Sequence, residues 1–309
     1  MGLSTAGVVL LSGGTGGAKL ARGMADVAGA ERLAVIVNTG DDIEIYGAHV
    51  SPDPDLVSFW LADSIDDRGW GLRDDTFEVM DAMRRLDVDV WFNLGDRDLA
   101  WCVERARMRA TGSSATEALA ELNRRVGVRS AVLPMSEDAV RTWVRVDGRW
   151  RPFQQFMISD RAAGVIEGVE FRGADSAAPS EAVLAAIRSA EVIVIGPSNP
   201  LASISPILAV PGMGAALSQA AAPVVAVSPI VAGEVLKGPT ASFMAYAGLP
   251  LTAAGIAEHY GSLLDGIVAD EEVPGLPTLR ADLHMDGADG RARLARETLA
   301  FAQGLGGRV

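Results

Sequence analysis

Residues 8–19 read VVLLSGGTGGAK, from Val8 to Lys19. Four apolar residues, Val8 to Leu11, run into Ser12-Gly13-Gly14-Thr15-Gly16-Gly17, and a helix-like run follows from Ala18 to Ala28. A buried strand, a glycine turn and a helix in that order open a doubly wound α/β fold. Glycine has no Cβ, so backbone N–H groups can approach an anion closely, and the first N–H groups of the helix add partial positive charge. The stretch predicts a phosphate or diphosphate cradle. A ligand-free strand-to-helix turn is the alternative.

Two better-known loops do not match. A Walker loop places Ser or Thr directly after its lysine, where its hydroxyl binds magnesium. Lys19 is followed by Leu20 instead. A dinucleotide fingerprint needs a third glycine, and Gly14-Thr15-Gly16-Gly17-Ala18-Lys19 has lysine at that position. Lys19 is one of only two lysines in the chain, with Lys237.

Composition bounds the answer. With 309 residues, 49% of them hydrophobic, the chain can bury a large core. A net charge of -13 argues against non-specific nucleic-acid binding. One cysteine, Cys102, excludes an intrachain disulfide and a cysteine-built zinc site. His49, His259 and His284 are scattered without a zinc motif. No apolar run is long enough to span a membrane, and a cytoplasmic location is expected.

Outward from the first loop, Leu33 to Val37 reads as the second strand and ends at Asn38-Thr39-Gly40-Asp41-Asp42. Ligands of open parallel sheets bind beyond the carboxyl ends of strands, so Asp41 and Asp42 fall on the edge of the glycine loop. Ser51-Pro52-Asp53-Pro54-Asp55 follows, and its prolines predict an extended turn rather than a helix. Residues ~56–127 read as a helical insertion with one short strand, Val90 to Leu94; its helices include Asp75 to Leu86 and one that Ser113 or Ser114 caps, with Glu117 in its first turn. Residues 131–172 read as a small β-rich flank with a hairpin turn at Asp147-Gly148. The doubly wound pattern then resumes, with strands at Val192 to Ile195, Val224 to Val227 and Ile267 to Ala269. The whole is expected to be a single Rossmann-like domain, α/β, with a doubly wound, mostly parallel sheet.

Four strand-end loops should share one edge: Ser12–Lys19, Asn38–Asp42, Gly196–Pro200 and Ser228–Ile230. Ser198 and Asn199 offer donors for phosphate or ribose oxygens, against simple turn chemistry as the alternative. Asp41, Asp42, Asp53 and Asp55 are candidates to hold magnesium, which prefers oxygen ligands and substrate phosphates. Arg97, within Asp96-Arg97-Asp98, could clamp a phosphate or carboxylate, or form a structural ion pair. Trp60, Trp70, Trp91 and Trp101 could line a pocket for a flat ring, although core packing of the insertion is the simpler account.

These segments resemble the 2-phospho-L-lactate transferase family. Ser12-Gly13-Gly14-Thr15-Gly16, Asn38-Thr39-Gly40-Asp41-Asp42, Ser51-Pro52-Asp53-Pro54-Asp55, Gly69-Trp70-Gly71, Leu94-Gly95-Asp96-Arg97-Asp98, Leu133-Pro134-Met135-Ser136, Gly196-Pro197-Ser198-Asn199-Pro200 and Ser228-Pro229-Ile230 carry the likeness in order, up to about Tyr260. The resemblance implies a transferase of coenzyme F-420 biosynthesis. The ribityl hydroxyl of the deazaflavin Fo would attack a guanosine diphosphate-activated three-carbon acid, and GMP would leave. It implies Mg2+ on Asp41 and Asp53, and contacts to Fo from Asp55 and Arg97. It implies Gly13, Gly14, Thr15, Gly16, Gly17, Lys19, Ser198 and Asn199 at the nucleotide phosphates, and a homodimer. Asp42 or Asp55 would orient or deprotonate the hydroxyl. Asp41-Asp42-Ile43-Glu44-Ile45-Tyr46 departs from relatives that carry a tryptophan nearby. It also lacks the Asp-Asp-Gly-Gly-Ser-Ser run of a related nucleotide-sugar-binding regulatory family, which makes a regulatory protein the alternative. An NAD-dependent oxidoreductase is disfavoured by Lys19.

Overall fold

The computed structural model describes residues 7–235 and 238–307. Seven apolar segments form its central sheet: β1 (Val8–Ser12), β2 (Leu33–Val37), β3 (Ala131–Pro134), β4 (Val192–Ile195), β5 (Val224–Val227), β6 (Gly266–Ala269) and β7 (Thr278–Arg280). Their order is β7-β6-β5-β4-β1-β2-β3, and every pairing is parallel. Val8 pairs with Leu33 on one side and Val192 on the other.

Every residue of β1, β2, β4, β5 and β6 is buried, as a sheet covered on both faces requires. Alternate residues serve opposite cores. Val9, Leu11, Ile36 and Ile195 pack with Val183, Met213, Phe243 and Ile256 of later helices. Val8, Leu10, Val35 and Val194 pack with Leu20 and Met24 of α1 (Gly14–Ala28), Val57 of α2 (Pro52–Leu61), and Leu294 of the helix Gly287–Leu305.

The strand order fixes where a ligand can enter. The chain runs outward one way through β1, β2 and β3, and the other way from β4 to β7. The loops leaving β1 and β4 therefore diverge and open a crevice at this switch point.

Between β2 and β3 lie a hairpin (Ile43–Ile45 with Ala48–Val50), α2, α3 (Glu78–Arg84), α4 (Asp96–Ala110) and α5 (Ala115–Arg125). Ser114 caps α5 in a reciprocal pair with Glu117, as its spacing predicts. Three expectations fail here. Ser51-Pro52-Asp53-Pro54-Asp55 is not an extended turn, because α2 begins at Pro52. The first helical N–H groups have no intrahelical partner, so prolines there remove nothing. Val90 to Leu94 is not a strand. Val90, Phe92 and Leu94 pack against Ala48, Val50 and Met80, and Phe92 N–H donates to the Tyr46 hydroxyl at 3.2 Å, without a ladder. Helix α3 is also shorter than the Asp75 to Leu86 expected.

The β-rich flank is a three-stranded antiparallel sheet with Arg141–Val146 in the middle. Its Asp147-Gly148 turn has φ of 49° and 71°, the left-handed pair that a tight hairpin needs. Among the described residues no helix is long and apolar enough to cross a membrane.

Candidate active site

The glycine loop is shorter than its sequence suggests. Helix α1 starts at Gly14, not Ala18, so Thr15, Gly16 and Gly17 lie in its first turn. Gly14 has φ +64°, a conformation that favours glycine. Gly16 and Gly17 serve close packing: a Cβ at Gly16 would collide with the Pro197 carbonyl, and one at Gly17 with the Ser12 hydroxyl. Gly13 N–H donates to Ser198 Oγ at 3.2 Å, bridging the crevice. Gly14 N–H donates to Asp53 Oδ1 at 2.7 Å. The N–H groups of Thr15 and Gly16, which a helix leaves without internal partners, face no acceptor among the described residues. Lys19 lies half-buried one turn on.

Asp53 ties three elements together. It sits in the first turn of α2, where the helix dipole favours a carboxylate. Besides Gly14, it accepts from the Asn38 amide at 2.9 Å. Asn38 Oδ1 in turn accepts from Gly40 N–H at 2.7 Å, shaping the turn that carries Asp41 and Asp42. Asp42 accepts from Ser51 Oγ at 2.6 Å and contacts His49 Nε2 at 2.9 Å. Asp41 is 6% exposed, and its Oδ1 has no hydrogen-bond partner among the described residues. Burial, with the charge of Asp53 beside it, pushes Asp41 well above the usual carboxylate range. Burial raises Asp53 to about 6, against the opposing hydrogen bonds from Gly14 and Asn38.

The neighbouring carboxylates are arranged differently. Asp55, in the same turn of α2, accepts from Trp101 Nε1 at 2.7 Å and from both terminal nitrogens of Arg105. Arg105 is buried, and it also donates to the His49 carbonyl at 3.0 Å. Asp98, Cys102 and Arg105 share one face of α4, at the spacing that brings successive helical turns together. Burial, then the charge of Asp55, raises Asp98 to about 7. Burial also pushes the Cys102 thiol up, so it is not a thiolate at neutral pH.

Two cavities flank the carboxylates. One, of about 210 Å³, has aromatic walls from Phe59, Trp70, Phe77 and Phe92 and is bordered by Asp53, Asp55 and Asp98. Trp70 is 50% exposed, with the Arg68 guanidinium 4.3 Å from its ring centre. The other, of about 170 Å³, is bordered by Asp41, Asp42, Arg141, Thr142 and Trp143. Gln154 lines both.

The structure thus brings Asp41, Asp42, Asp53 and Asp55 to one end of the sheet with Gly13, Gly14 and Ser198. It does not bring Arg97 into the aromatic cavity. Arg97 is exposed, donates to the Arg73 carbonyl at 3.1 Å, and borders a separate cavity beyond Phe59 and Leu72. Its neighbour Asp96 caps α3 by accepting from the N–H groups of Glu78 and Val79, each at 3.0 Å. Trp70 faces the aromatic cavity, whereas Trp60 is buried in the core and Trp101 anchors Asp55. Asn199 Oδ1 caps the turn at Leu201 and Ala202, leaving its buried Nδ2 without a partner among the described residues. Ser228 serves its own turn by accepting from Ile230 N–H. Sequence reading passed over Arg105, Asp98 and Gln154. For the first two the signal was present: Asp98, Cys102 and Arg105 recur at helical spacing opposite an acidic motif.

Which acids suit a divalent cation follows from charge balance. Among the described residues, the one group of three close ligand atoms is Asp55, Asp98 and Cys102. Arg105 already neutralises Asp55, and a protonated thiol is a poor partner for a hard cation. Asp41 and Asp53 offer only oxygen, form no ion pair among the described residues, and include an oxygen with nothing bonded to it. They fit a hard divalent cation.

An open parallel sheet with a switch-point crevice, flanked on both faces by helices, defines a Rossmann-like α/β protein. Comparison with known families gives the particular one: the chain belongs to the 2-phospho-L-lactate transferase CofD family, whose model matches residues 8–288. It is 41% identical to a phosphoenolpyruvate transferase of Streptomyces griseus over 96% of this chain and 98% of that one. It is 38% identical to a 2-phospho-L-lactate transferase of Methanosarcina mazei over 85% and 87% of the two chains. A crystal structure of a UPF0052-family protein from Bacillus halodurans shares the fold, with a TM-score of 0.62 over 94% of this chain and 98% of that one at 19% identity.

Proposed function

We propose that this CofD-family transferase moves a phospho-three-carbon acid, phospholactyl or phosphoenolpyruvyl, from a guanosine diphosphate-activated donor to the ribityl hydroxyl of the deazaflavin Fo. GMP is released, and the product belongs to coenzyme F-420 biosynthesis. The observation that carries this reading is the uncompensated pair Asp41 and Asp53 at the meeting of two cavities.

Asp41 and Asp53 would hold Mg2+, which when bound neutralises charge on diphosphate oxygens and on the departing phosphate. Transfer of this kind relies mainly on positioning and charge stabilisation. The free N–H groups of Thr15 and Gly16 and the unpartnered Asn199 Nδ2 suit diphosphate oxygens. Gly13, Gly14, Gly17 and Ser198 shape that wall, and Lys19 lies on the same helix. The aromatic chamber suits the deazaflavin ring, with Trp70 as a stacking face. Asp55, clamped by Arg105 and Trp101, borders that chamber as a fixed carboxylate. Asp42, held by Ser51 and His49, borders the opposite cavity. Arg97 would reach Fo only by leaving the Arg73 carbonyl.

The test is direct. The protein is offered Fo, magnesium and the guanylylated forms of phosphoenolpyruvate, 2-phospholactate and 2-phosphoglycerate in turn, and products are identified by mass. A phospho-acid ester of Fo together with GMP is expected. No product with any donor refutes the reading, and tight nucleotide-sugar binding without turnover would favour the regulatory alternative.

A further inference from the structure

We propose that Asp98 takes the proton from the attacking hydroxyl, a role that rests on the acceptor occupying the aromatic chamber as set out above. Four carboxylates border this chamber, and their hydrogen bonds differ. Asp53 is held by Gly14 N–H and the Asn38 amide. Asp55 is held by Trp101 and Arg105. Asp75 accepts from the N–H groups of Thr76, Arg97 and Asp98, and so caps the start of α4. The Asp98 carboxyl has only the weak donor Cys102, its Sγ 3.7 Å away, among the described residues. It is half-buried, so part of it meets the chamber, and it has no capping duty of its own because Asp75 fills that role.

Position and proton affinity agree. Asp98 lies in the first turn of α4, with a carboxyl oxygen within 4.8 Å of one from Asp55, two residues along α2 from Asp53. The groups that face it are Asp55 on α2, Asp75 before α3, and Cys102 and Arg105 on α4. Burial and the two carboxylates raise its pKa, Arg105 opposes them, and the result is about 7. A general base works best when poised near the operating pH. In the step, the O–H bond of the acceptor breaks and its proton passes to a carboxylate oxygen of Asp98. The hydroxyl oxygen forms the new bond to the phosphorus that carries the acid. The bond from that phosphorus to the GMP oxygen breaks, and its electron pair leaves with GMP. Asp98 then returns the proton to solvent.

The experiment compares the full-length wild type with Asp98→Asn and Asp98→Glu, at saturating magnesium, Fo and donor. Asp98→Asn is expected to lower kcat about 10²–10³-fold. Its Kd for Fo, followed by the deazaflavin's own fluorescence, should stay within about threefold, because a chamber residue acting only in the step adds little ground-state binding. The wild-type kcat should rise with pH through a midpoint near 7, and that limb should vanish in Asp98→Asn. Asp98→Glu should restore part of the rate with a shifted midpoint. A kcat within threefold of wild type in Asp98→Asn, or an unchanged limb in either variant, overturns the assignment. Should Asp98→Asn fail to fold, the limb of Asp98→Glu decides alone. A wild type that yields no product with any donor overturns the functional reading, and this role with it, whereas an active wild type with an indifferent variant overturns this role alone.

Discussion

Two pairs of residues lie in the same corner of the molecule, and their buried acids are accommodated in opposite ways. Asp55 shares its charge with Arg105, and Trp101 completes the shell, so that pair is self-contained. Among the described residues, Asp41 and Asp53 have no such cation, and one Asp41 oxygen has no hydrogen-bond partner. A buried charge without compensation is unfavourable unless something arrives to balance it. The contrast separates an acid neutralised by its own neighbours from acids that, on the proposed reading, would hold the cation.

The sharpest way to break this comparison is to neutralise one uncompensated acid. Asp41→Asn should lower magnesium-dependent turnover at least ~10³-fold, since metal stabilisation of developing charge is worth several kcal/mol. The same change should raise the melting temperature of the metal-free protein, because it removes an uncompensated buried charge. Full turnover in that variant would take the metal away from Asp41. The opposite sign is expected in the compensated pair. Arg105→Met should destabilise the protein by about 3–5 kcal/mol in chemical denaturation, because it strands Asp55. A loss below about 1 kcal/mol would show that water or rearrangement rescues Asp55.

A smaller effect follows from pH. Between pH 3.8 and about 6, folded Asp53 keeps a proton that the unfolded chain has lost. Its contribution to stability therefore falls as pH climbs through that window and stays low above it. Asp41, raised in the same direction, adds to the trend. Magnesium should accordingly raise the melting temperature more at pH 7.5 than at pH 5, and the difference should disappear in Asp41→Asn. An equal shift at both values would place the bound cation elsewhere. The smallest structural effect belongs to Trp70→Ala. With half its surface exposed, Trp70 should alter stability by no more than about 0.5 kcal/mol while raising the KM for Fo severalfold. An unchanged KM would remove it from the ring site.

Much of this architecture was legible because the sheet is buried on both faces. Val8–Leu11, Leu33–Val37, Val192–Ile195 and Val224–Val227 are unbroken apolar runs, and each ends in turn residues that mark the site edge. Local chemistry was harder to read. Pro52 and Pro54 look like helix breakers, and only their place at the very start of α2 makes them compatible with it. The glycines looked alike in sequence, yet Gly14 is set by its backbone angle, and Gly16 and Gly17 by what packs against them. Arg97 stood out as the charged residue of a tight motif. The ion pair formed with Arg105, two helical turns further on, because helical geometry and not chain proximity decides who meets Asp55.

The aromatic chamber and the glycine-loop wall are lined by different residues, and that arrangement bears on kinetic order. On the proposed reading the acceptor fills the aromatic chamber while the donor's diphosphate lies along the glycine-loop wall, so neither has to leave before the other enters. Initial-rate plots should intersect, as a ternary complex requires, rather than run parallel as they do when an enzyme is modified and then discharged.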